Sequence, residues 1–361
     1  GSLYYSRRAI LINSCLSSIP SYAMGLFLLP ETIQHEIDSV RGRFYWEGMG
    51  ERKRYHMVKW SNIAFPKDFG GLGFTDTGAM NIALLGKWIF KLESDTKSLC
   101  MTVLKNKYMR STGFFQYNSS SSSMFWQGLQ KIRIWVERGS KWKVGDGSHI
   151  FFWRDVWHGE VPLKNIFPYL FEICDQQDIS VKEVRSCVNC LSFRRVFGQM
   201  DVECWRELCG VVSSLQNSMY VRDKDEIKWA LGTKEIYTSK SMYSFLTFRG
   251  ILDQEIQNIW FAPIPLKFKH FLWLAWRNRI QSAGQLRKMG WGGNEARQLC
   301  SLYENSYHIF FKCPMAVFVW CCCRDALGWE RVPSSFSDFN NCELWRCRMK
   351  LPRITICLLA S

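Results

Sequence analysis

The sequence predicts a mainly α-helical protein with small antiparallel β-hairpins, an α+β chain in which helices carry most of the core. Three observations lead there. Apolar residues recur at three- and four-residue intervals through most of the chain, which is the period of a half-buried helix. Two-residue alternation is confined to two short stretches, each interrupted by a glycine-containing turn. Five consecutive serines, Ser119 to Ser123, bury nothing and separate one helical region from the next. With 361 residues, 47% of them hydrophobic, the chain is long enough for two or three cores at roughly 100–200 residues per domain.

Taken in order, a helix begins near Ser6, is ended or kinked by Pro20, and is followed by a second piece running to Leu29. Arg7 and Arg8 stand ahead of an apolar run, as in a secretion signal. Asn13, Ser14, Ser17, Ser18 and Pro20 interrupt that run, where a signal core or a membrane span stays apolar, so the start reads as internal to a longer protein. After Pro30, Ile33, Ile37, Val40 and Phe44 form a helical stripe that leaves Arg41 and Arg43 on other faces. Gly70-Gly71-Leu72-Gly73 lacks the Gly-Lys-Ser/Thr of a phosphate loop and reads as a turn. Leu84, Leu85, Trp88, Ile89 and Leu92 make the next stripe. Lys53, Arg54, Lys59, Lys105 and Lys107, interleaved with Tyr55, Trp60 and Tyr108, suit either a solvated basic face or one that touches phosphates and stacks on bases.

Beyond the serines, Trp126, Leu129, Ile132 and Trp135 predict a short amphipathic helix. Gly145-Asp146-Gly147 then predicts a hairpin between Trp142/Val144 and the aromatic stretch that follows. Ile227, Trp229 and Leu231, turned by Gly232-Thr233 toward Ile236 and Thr238, predict a second one. Ser239 or Ser241 is placed to cap a helix carrying Met242, Phe245 and Leu246. Pro263 and Pro265 precede a helix with Phe268, Phe271, Leu272, Ala275 and Trp276 on one side and Lys267, Lys269, Arg277 and Arg279 at its edges. The expected organisation is a helical region over 1–118, a linker at 119–125, a hairpin-containing region over 126–226, a further domain over 227–330 and a divergent tail at 331–361.

The chemistry concentrates near residue 300. Cys300, His308 and Cys313 are soft metal ligands at short intervals, and a closed structural zinc site needs four such ligands. A Cys-x2-Cys pair starting at Cys300 would put its second thiol at position 303, where the chain has Tyr303. The alternative is an aromatic turn without zinc. Cys187 and Cys190 also have the x2 spacing of zinc and redox sites, without a second ligand pair nearby, although one of these thiols could complete the Cys300 site from a distance. The 15 cysteines include the adjacent Cys321, Cys322 and Cys323, which suit reduced intracellular thiols better than a disulfide framework. A net charge of +15 favours a polyanionic partner, nucleic acid or an anionic membrane.

These residues carry a resemblance. His308-Ile309-Phe310-Phe311-Lys312-Cys313-Pro314 and Phe318-Val319-Trp320 resemble the zinc-binding end of plant LINE-type, non-LTR retrotransposon reverse transcriptases, in which a C-x2-C pair precedes H-L-F-x-x-C-P; Tyr303 departs from that pattern. Further blocks follow in the family's order: Trp60, Ile63, Pro66, Lys67 and Gly70 to Gly73; the Val144 to Gly147 turn with Phe152, Trp153, Asp155 and Trp157; and Pro265, Lys267, Phe271, Trp273 and Ile280. The resemblance implies a thumb-like helical region at the start, a zinc-knuckle-like end, zinc as cofactor, and contact with template RNA and target DNA.

Catalysis is not expected. Polymerase chemistry uses paired aspartates to hold two metal ions, and no Asp-Asp dipeptide occurs in the sequence. Asp68, Asp76 and Asp95 read as surface or capping residues, and Asp155 with His158 lacks a nucleophile or a third group. The expected function is therefore that of a non-catalytic nucleic-acid-binding fragment, gripping RNA or DNA with little sequence preference through Arg41, Arg43, Lys53, Arg54, Lys267, Lys269, Arg277 and Arg279. A protein-interaction module, or an unselected relic of a retroelement, is the alternative. No membrane association is expected, and the family's location implies an intracellular, nuclear protein.

Overall fold

The computed structural model describes residues 4–48, 54–94, 98–109, 113–116, 122–187, 190–217 and 224–341. The described residues are mainly helical, with one two-stranded antiparallel sheet. The chain divides into two units that do not follow sequence order. Among the described residues, one takes in 4–21, 30–77 and 247–341, so segments from early and late in the chain share a unit; the other takes in 22–29 and 78–246. The expected edges at 119–125 and 226 both fall inside the second unit. Of the five serines, Ser119 to Ser121 lie outside the described residues. Ser123 caps the helix Met124–Gly139, its hydroxyl accepting from Trp126 N and from the Tyr108 hydroxyl. A serine ahead of an apolar stripe is a strong N-cap as well as a linker residue.

In the first unit, helix Glu31–Trp46 buries a face other than the one its aliphatic stripe suggests. Ile33 and Val40 are exposed, whereas Arg41, Gly42, Tyr45 and Trp46 are buried. The two aromatic rings bring more apolar area inside than the aliphatic residues would, and Arg41 follows them in because both terminal nitrogens of its guanidinium find acceptors, although its Nε has none. Its guanidinium donates to Ser17 Oγ (3.0 Å) and to Asp38 and Thr77, and it lies over the Trp60 ring. Arg41 is thus not a surface residue. Arg8, also buried, donates to the carbonyls of Tyr45 and Trp46, satisfying the helix's last turn.

Helix Leu266–Trp276 packs through His270, Leu272, Trp273, Leu274 and Ala275, with Trp273 fully buried. His270 Nδ1 sits 3.1 Å from the Tyr45 hydroxyl, and burial pushes its pKa down to about 4, so the ring is neutral. The Gly70 to Gly73 segment is a turn whose backbone donors are all consumed internally. Gly70 N, Gly71 N, Leu72 N and Gly73 N bond to the carbonyls of Lys67, Pro66, Ile63 and Phe65, which leaves no amide to cradle a phosphate. A side chain at Gly71 would strike the Phe65 carbonyl, and Gly70 takes a φ of 84°, so glycine is required at both positions.

In the second unit, Leu85, Ile89 and Leu92 of helix Thr77–Glu93 meet Trp126, Leu129, Ile132 and Val136 of helix Met124–Gly139 in one core. Neither expected hairpin forms as such. Strand β1 (Ser140–Lys143) pairs antiparallel with β2 (Glu226–Trp229), in register from Ser140 opposite Trp229 to Lys143 opposite Glu226. The alternation in β2 is as read, Ile227 and Trp229 buried, but its partner strand lies far back in the chain, with Ile227 opposite Trp142. The Val144 to His149 loop instead wraps the Asp225 carboxylate, which accepts from the amides of Gly145, Gly147 and His149. The aromatic stretch after it closes into a turn: Phe151 N donates to Asp155 Oδ2 (2.7 Å) and Asp155 N to the Phe151 carbonyl. Thr238, not Ser239 or Ser241, caps the helix Ser239–Leu246.

Asn81 is fully buried and staples the segment 22–29 to this unit. Its Nδ2 donates to the carbonyls of Met24 (2.7 Å) and Phe27 (2.8 Å), and its Oδ1 accepts from Leu29 N (2.7 Å). Asn81→Ala removes all three bonds and is expected to cost roughly 2–4 kcal/mol in urea unfolding. An unchanged midpoint would show that the segment is held by other means.

Asp155 supplies a pH test. Burial, with Glu137 and Glu93 nearby, raises its pKa from 3.8 to about 7. The folded chain then holds this proton more tightly than the unfolded chain, so Asp155 becomes destabilising as pH rises from about 4 to about 7 and stays so above that. Asp155→Asn keeps an acceptor for Phe151 N. It is expected to raise stability at pH 8 by on the order of 2–4 kcal/mol and to change it little at pH 4. Equal effects at the two values would contradict the buried-acid assignment.

Candidate metal centre

The site is assembled on short elements tied to one another. Asn278, just past helix Leu266–Trp276, takes a positive φ and accepts Ser306 N on its Oδ1. Helix Ala283–Lys288 is held to the same loop, because Glu304 Oε1 accepts Ala283 N and the Glu304 carbonyl accepts Gly284 N. Between these anchors the chain makes a small hairpin. Glu304 N donates to the Glu295 carbonyl, Arg297 N to the Leu302 carbonyl, and Ala296 bridges Tyr303.

Cys300 sits in the tip of that hairpin. His308 follows, its backbone N–H donating to Asn305 Oδ1, and opens a π-helical turn over His308–Lys312. The turn closes with Cys313 N donating to the His308 carbonyl (2.8 Å), a five-residue step. In an α-helix residues five apart point about 140° away from each other; the wider turn brings them toward one face. Cys313 then stands at the N-cap position of helix Pro314–Leu327, its side chain making no cap bond, and the helix's first position is a proline. Trp320 locks the arrangement: its Nε1 donates to the Phe310 carbonyl and its ring stacks on Phe311.

The result brings together the three ligands named from sequence. Cys300 Sγ lies 3.0 Å from His308 Nε2, and the ligand atoms of Cys300, His308 and Cys313 all lie within 4.8 Å of one another. Cys313 and His308 are buried and Cys300 is half-exposed. Bonds of about 2.3 Å to sulfur and 2.0–2.1 Å to nitrogen space tetrahedral ligands roughly 3.5–4 Å apart, so the group fits a zinc ion with small movements of Cys300 and His308. Two thiols and an imidazole are also the donor types that zinc prefers. Among the described residues no other group of three or more Cys, His, Asp or Glu converges this way. Cys187 and Cys190 share only a local turn, and Asp155 and His158 do not form a pair: Asp155 serves the Phe151 turn and His158 is exposed.

The basic residues separate into two groups. Arg41 is buried; Lys269 Nζ donates to the Trp260 carbonyl (2.6 Å) and Arg277 to the Gly70 carbonyl (2.6 Å), and burial lowers the pKa of each. Arg43, Arg54, Lys267 and Arg279 are exposed, and Lys53 lies outside the described residues. Lys67, named from the sequence only within the Trp60 to Gly73 block and not as a binding residue, is exposed too, and its Nζ stands 4.8 Å over the Trp260 ring. The aromatic-next-to-lysine signal was there, but the two residues are 193 positions apart.

With this geometry in hand, comparison with known proteins adds three findings. Residues 237–320 match the model of the family described as zinc-binding in reverse transcriptase, a span that contains all three ligands. The chain is 26% identical over 328 residues to an Arabidopsis thaliana protein named after ribonuclease H (At1g65750), covering 88% of this chain and 52% of that protein. It is 30% identical over 149 residues to an Arabidopsis thaliana mitochondrial protein (AtMg00310), covering 40% of this chain and 97% of that one. The chain therefore spans about half the length of the first of these relatives.

Cobalt(II) added to chelator-treated protein is expected to raise the melting temperature by several degrees, because a folded site that binds metal is stabilised by mass action. Cys313→Ser should abolish the rise. A shift of equal size in that variant would place the metal elsewhere.

Proposed function

The chain belongs to the retroelement reverse-transcriptase zinc-binding family, and from that membership we propose that it is a zinc-stabilised, nucleic-acid-binding piece of such an element without polymerase chemistry of its own. The match to the family model covers the zinc-binding region only, and the sequence has no adjacent aspartates of the kind that hold catalytic metal ions. Cys300, His308 and Cys313 would hold the zinc, whose contribution there is structural, fixing the hairpin tip to the start of helix Pro314–Leu327. An intracellular, nuclear location belongs to the same proposal; among the described residues no helix is long and apolar enough to cross a membrane.

The observation that carries the nucleic-acid reading is a basic and aromatic patch in the first unit. Phe261 is 78% exposed at the end of helix Gln254–Phe261, next to Trp260, and Lys67 lies over the Trp260 ring. Lys269 is near enough to Lys67 for the two charges to oppose each other, and Lys267 is exposed on the following helix. Like charges left near one another beside the half-buried Trp260 ring are stabilised by a polyanion, and the exposed Phe261 ring, one residue on, gives a base a surface on which to stack. Such contacts read charge and π-faces, not sequence.

Binding of a labelled single-stranded oligonucleotide, followed by anisotropy across a salt series, tests this. Each phosphate contact contributes about −0.7 to the slope of log affinity against log salt, so three contacts predict a slope near −2. Lys67→Glu with Lys267→Glu should flatten the slope and weaken binding at low salt, and Phe261→Ala should weaken binding without changing the slope. Absent binding at low salt would favour the reading of this surface as a protein-interaction module.

A further inference from the structure

We propose that Cys187 and Cys190 form a dithiol site that low-molecular-weight disulfides such as oxidised glutathione convert to an internal disulfide, with Cys187 as the entry sulfur and Cys190 as the resolving one. The pair lies in the unit that takes in 78–246, and the three converging metal ligands lie in the other, so the proposal is independent of the metal reading. A zinc site would need further ligands beside the pair; a disulfide needs none.

The backbone gathers the two cysteines around one acceptor. Helix Val181–Ser186 starts from a capping box between Ser180 and Glu183, and ends at Cys187, whose N–H donates to the Glu183 carbonyl (3.1 Å). The Cys190 thiol donates to that same carbonyl (3.9 Å), and Cys190 N donates to the Cys187 carbonyl (3.2 Å). A bond from residue i+3 back to residue i keeps the two Cα atoms within about 7 Å, and disulfides span Cα separations of about 4.4–6.8 Å, so closure asks for little beyond side-chain rotation. The frame that presents the pair is itself fixed. Val181 and Val184 are fully buried, Val181 N donates to the Ile150 carbonyl (2.9 Å), and Lys182 N donates to the Gly147 carbonyl (3.0 Å).

The two sulfurs differ in access. Cys187 is exposed and Cys190 is partly buried, so a small disulfide in solution meets Cys187 first. Burial pushes the Cys190 thiol up, and the Cys187 sulfur and the Glu183 carboxylate push it the same way, so Cys190 stays protonated while Cys187 is free. The Cys187 thiolate attacks one sulfur of the small disulfide; that S–S bond breaks, one half departs as a thiolate, and a mixed disulfide forms on Cys187. With Cys187 capped, its charge no longer opposes ionisation of Cys190. Cys190 then releases its proton to solvent and attacks Cys187 Sγ, and the second half departs as a thiolate. The cysteine pair has lost two electrons and the small disulfide has gained them, while the two protons end on the two released thiols. The second attack is intramolecular and runs at the high effective concentration of a short tether, which drives closure ahead of a second adduct.

The test incubates the full reduced chain in glutathione buffers of increasing oxidised fraction, blocks the remaining thiols with an alkylating reagent and reads tryptic peptides by mass spectrometry. Arg185 and Arg194 release both cysteines in the one peptide 186–194. In the wild type this peptide is expected to lose two hydrogens and to carry neither glutathione nor alkyl groups. Cys15 and Cys100, exposed and without a cysteine near them in sequence, should stop at glutathione adducts in the same buffers. Cys190→Ser should trap the mixed disulfide on Cys187. In Cys187→Ser, Cys190 should take up glutathione on the order of tenfold more slowly than Cys187 does in Cys190→Ser.

A peptide 186–194 that remains doubly alkylated in buffers where Cys15 is fully adducted would overturn the proposal, as would two separate glutathione adducts on that peptide in the wild type. Adduct formation that is equally fast in the two variants, or faster on Cys190, would overturn the assignment of entry and resolving sulfurs.

Discussion

The hydrogen bond from Cys313 N to the His308 carbonyl is the constraint on which the organised end of this protein depends. An ordinary helical turn would carry Cys313 past His308 and away from Cys300; one extra residue in the turn brings an imidazole and a thiol to the same point. The same step delivers the chain to Pro314, where a proline costs nothing because the first helical amide has no partner within the helix. Trp320 returns to this turn through the Phe310 carbonyl and the Phe311 ring, so metal ligands and aromatic core share one backbone segment. A metal ion there would reinforce a geometry that hydrogen bonds already define.

Charge in this protein has two separate uses. Arg8, Arg41 and Arg277 are internal fasteners, each spending its guanidinium on carbonyls or hydroxyls of neighbouring elements. Removing such a group would leave buried acceptors without donors, which costs more than a surface ion pair contributes. Arg43, Arg54, Lys67, Lys267 and Arg279 remain outside, and it is this remainder that can meet a polyanion. The net charge of +15 counts both groups alike and so overstates the surface available for binding.

Where the sequence was legible, the information was local. Leu85, Ile89 and Leu92 repeat at helical spacing and are buried as a stripe, and the three metal ligands lie within fourteen residues of one another and converge. The pairing of β1 with β2 was not legible, since the turn at Gly145 to Gly147 looks the same whether it joins two strands or wraps the carboxylate of Asp225. Arg41 was misplaced because its burial depends on Ser17 and Thr77, residues that no periodicity connects to it. Position 303 drew attention to itself by its spacing from Cys300, but the Tyr303 ring packs on helix Ala283–Lys288, close to Gly284.

The central claim is that this chain carries a zinc centre built from two thiolates and one imidazole. Zinc K-edge X-ray absorption on protein purified without chelator measures that centre directly, through the number and type of atoms bonded to the ion. The account predicts two sulfur neighbours at about 2.3 Å and two nitrogen or oxygen neighbours near 2.0–2.1 Å, one from His308 and one from water. A shell of three or four sulfurs, or of oxygen and nitrogen alone, would contradict it.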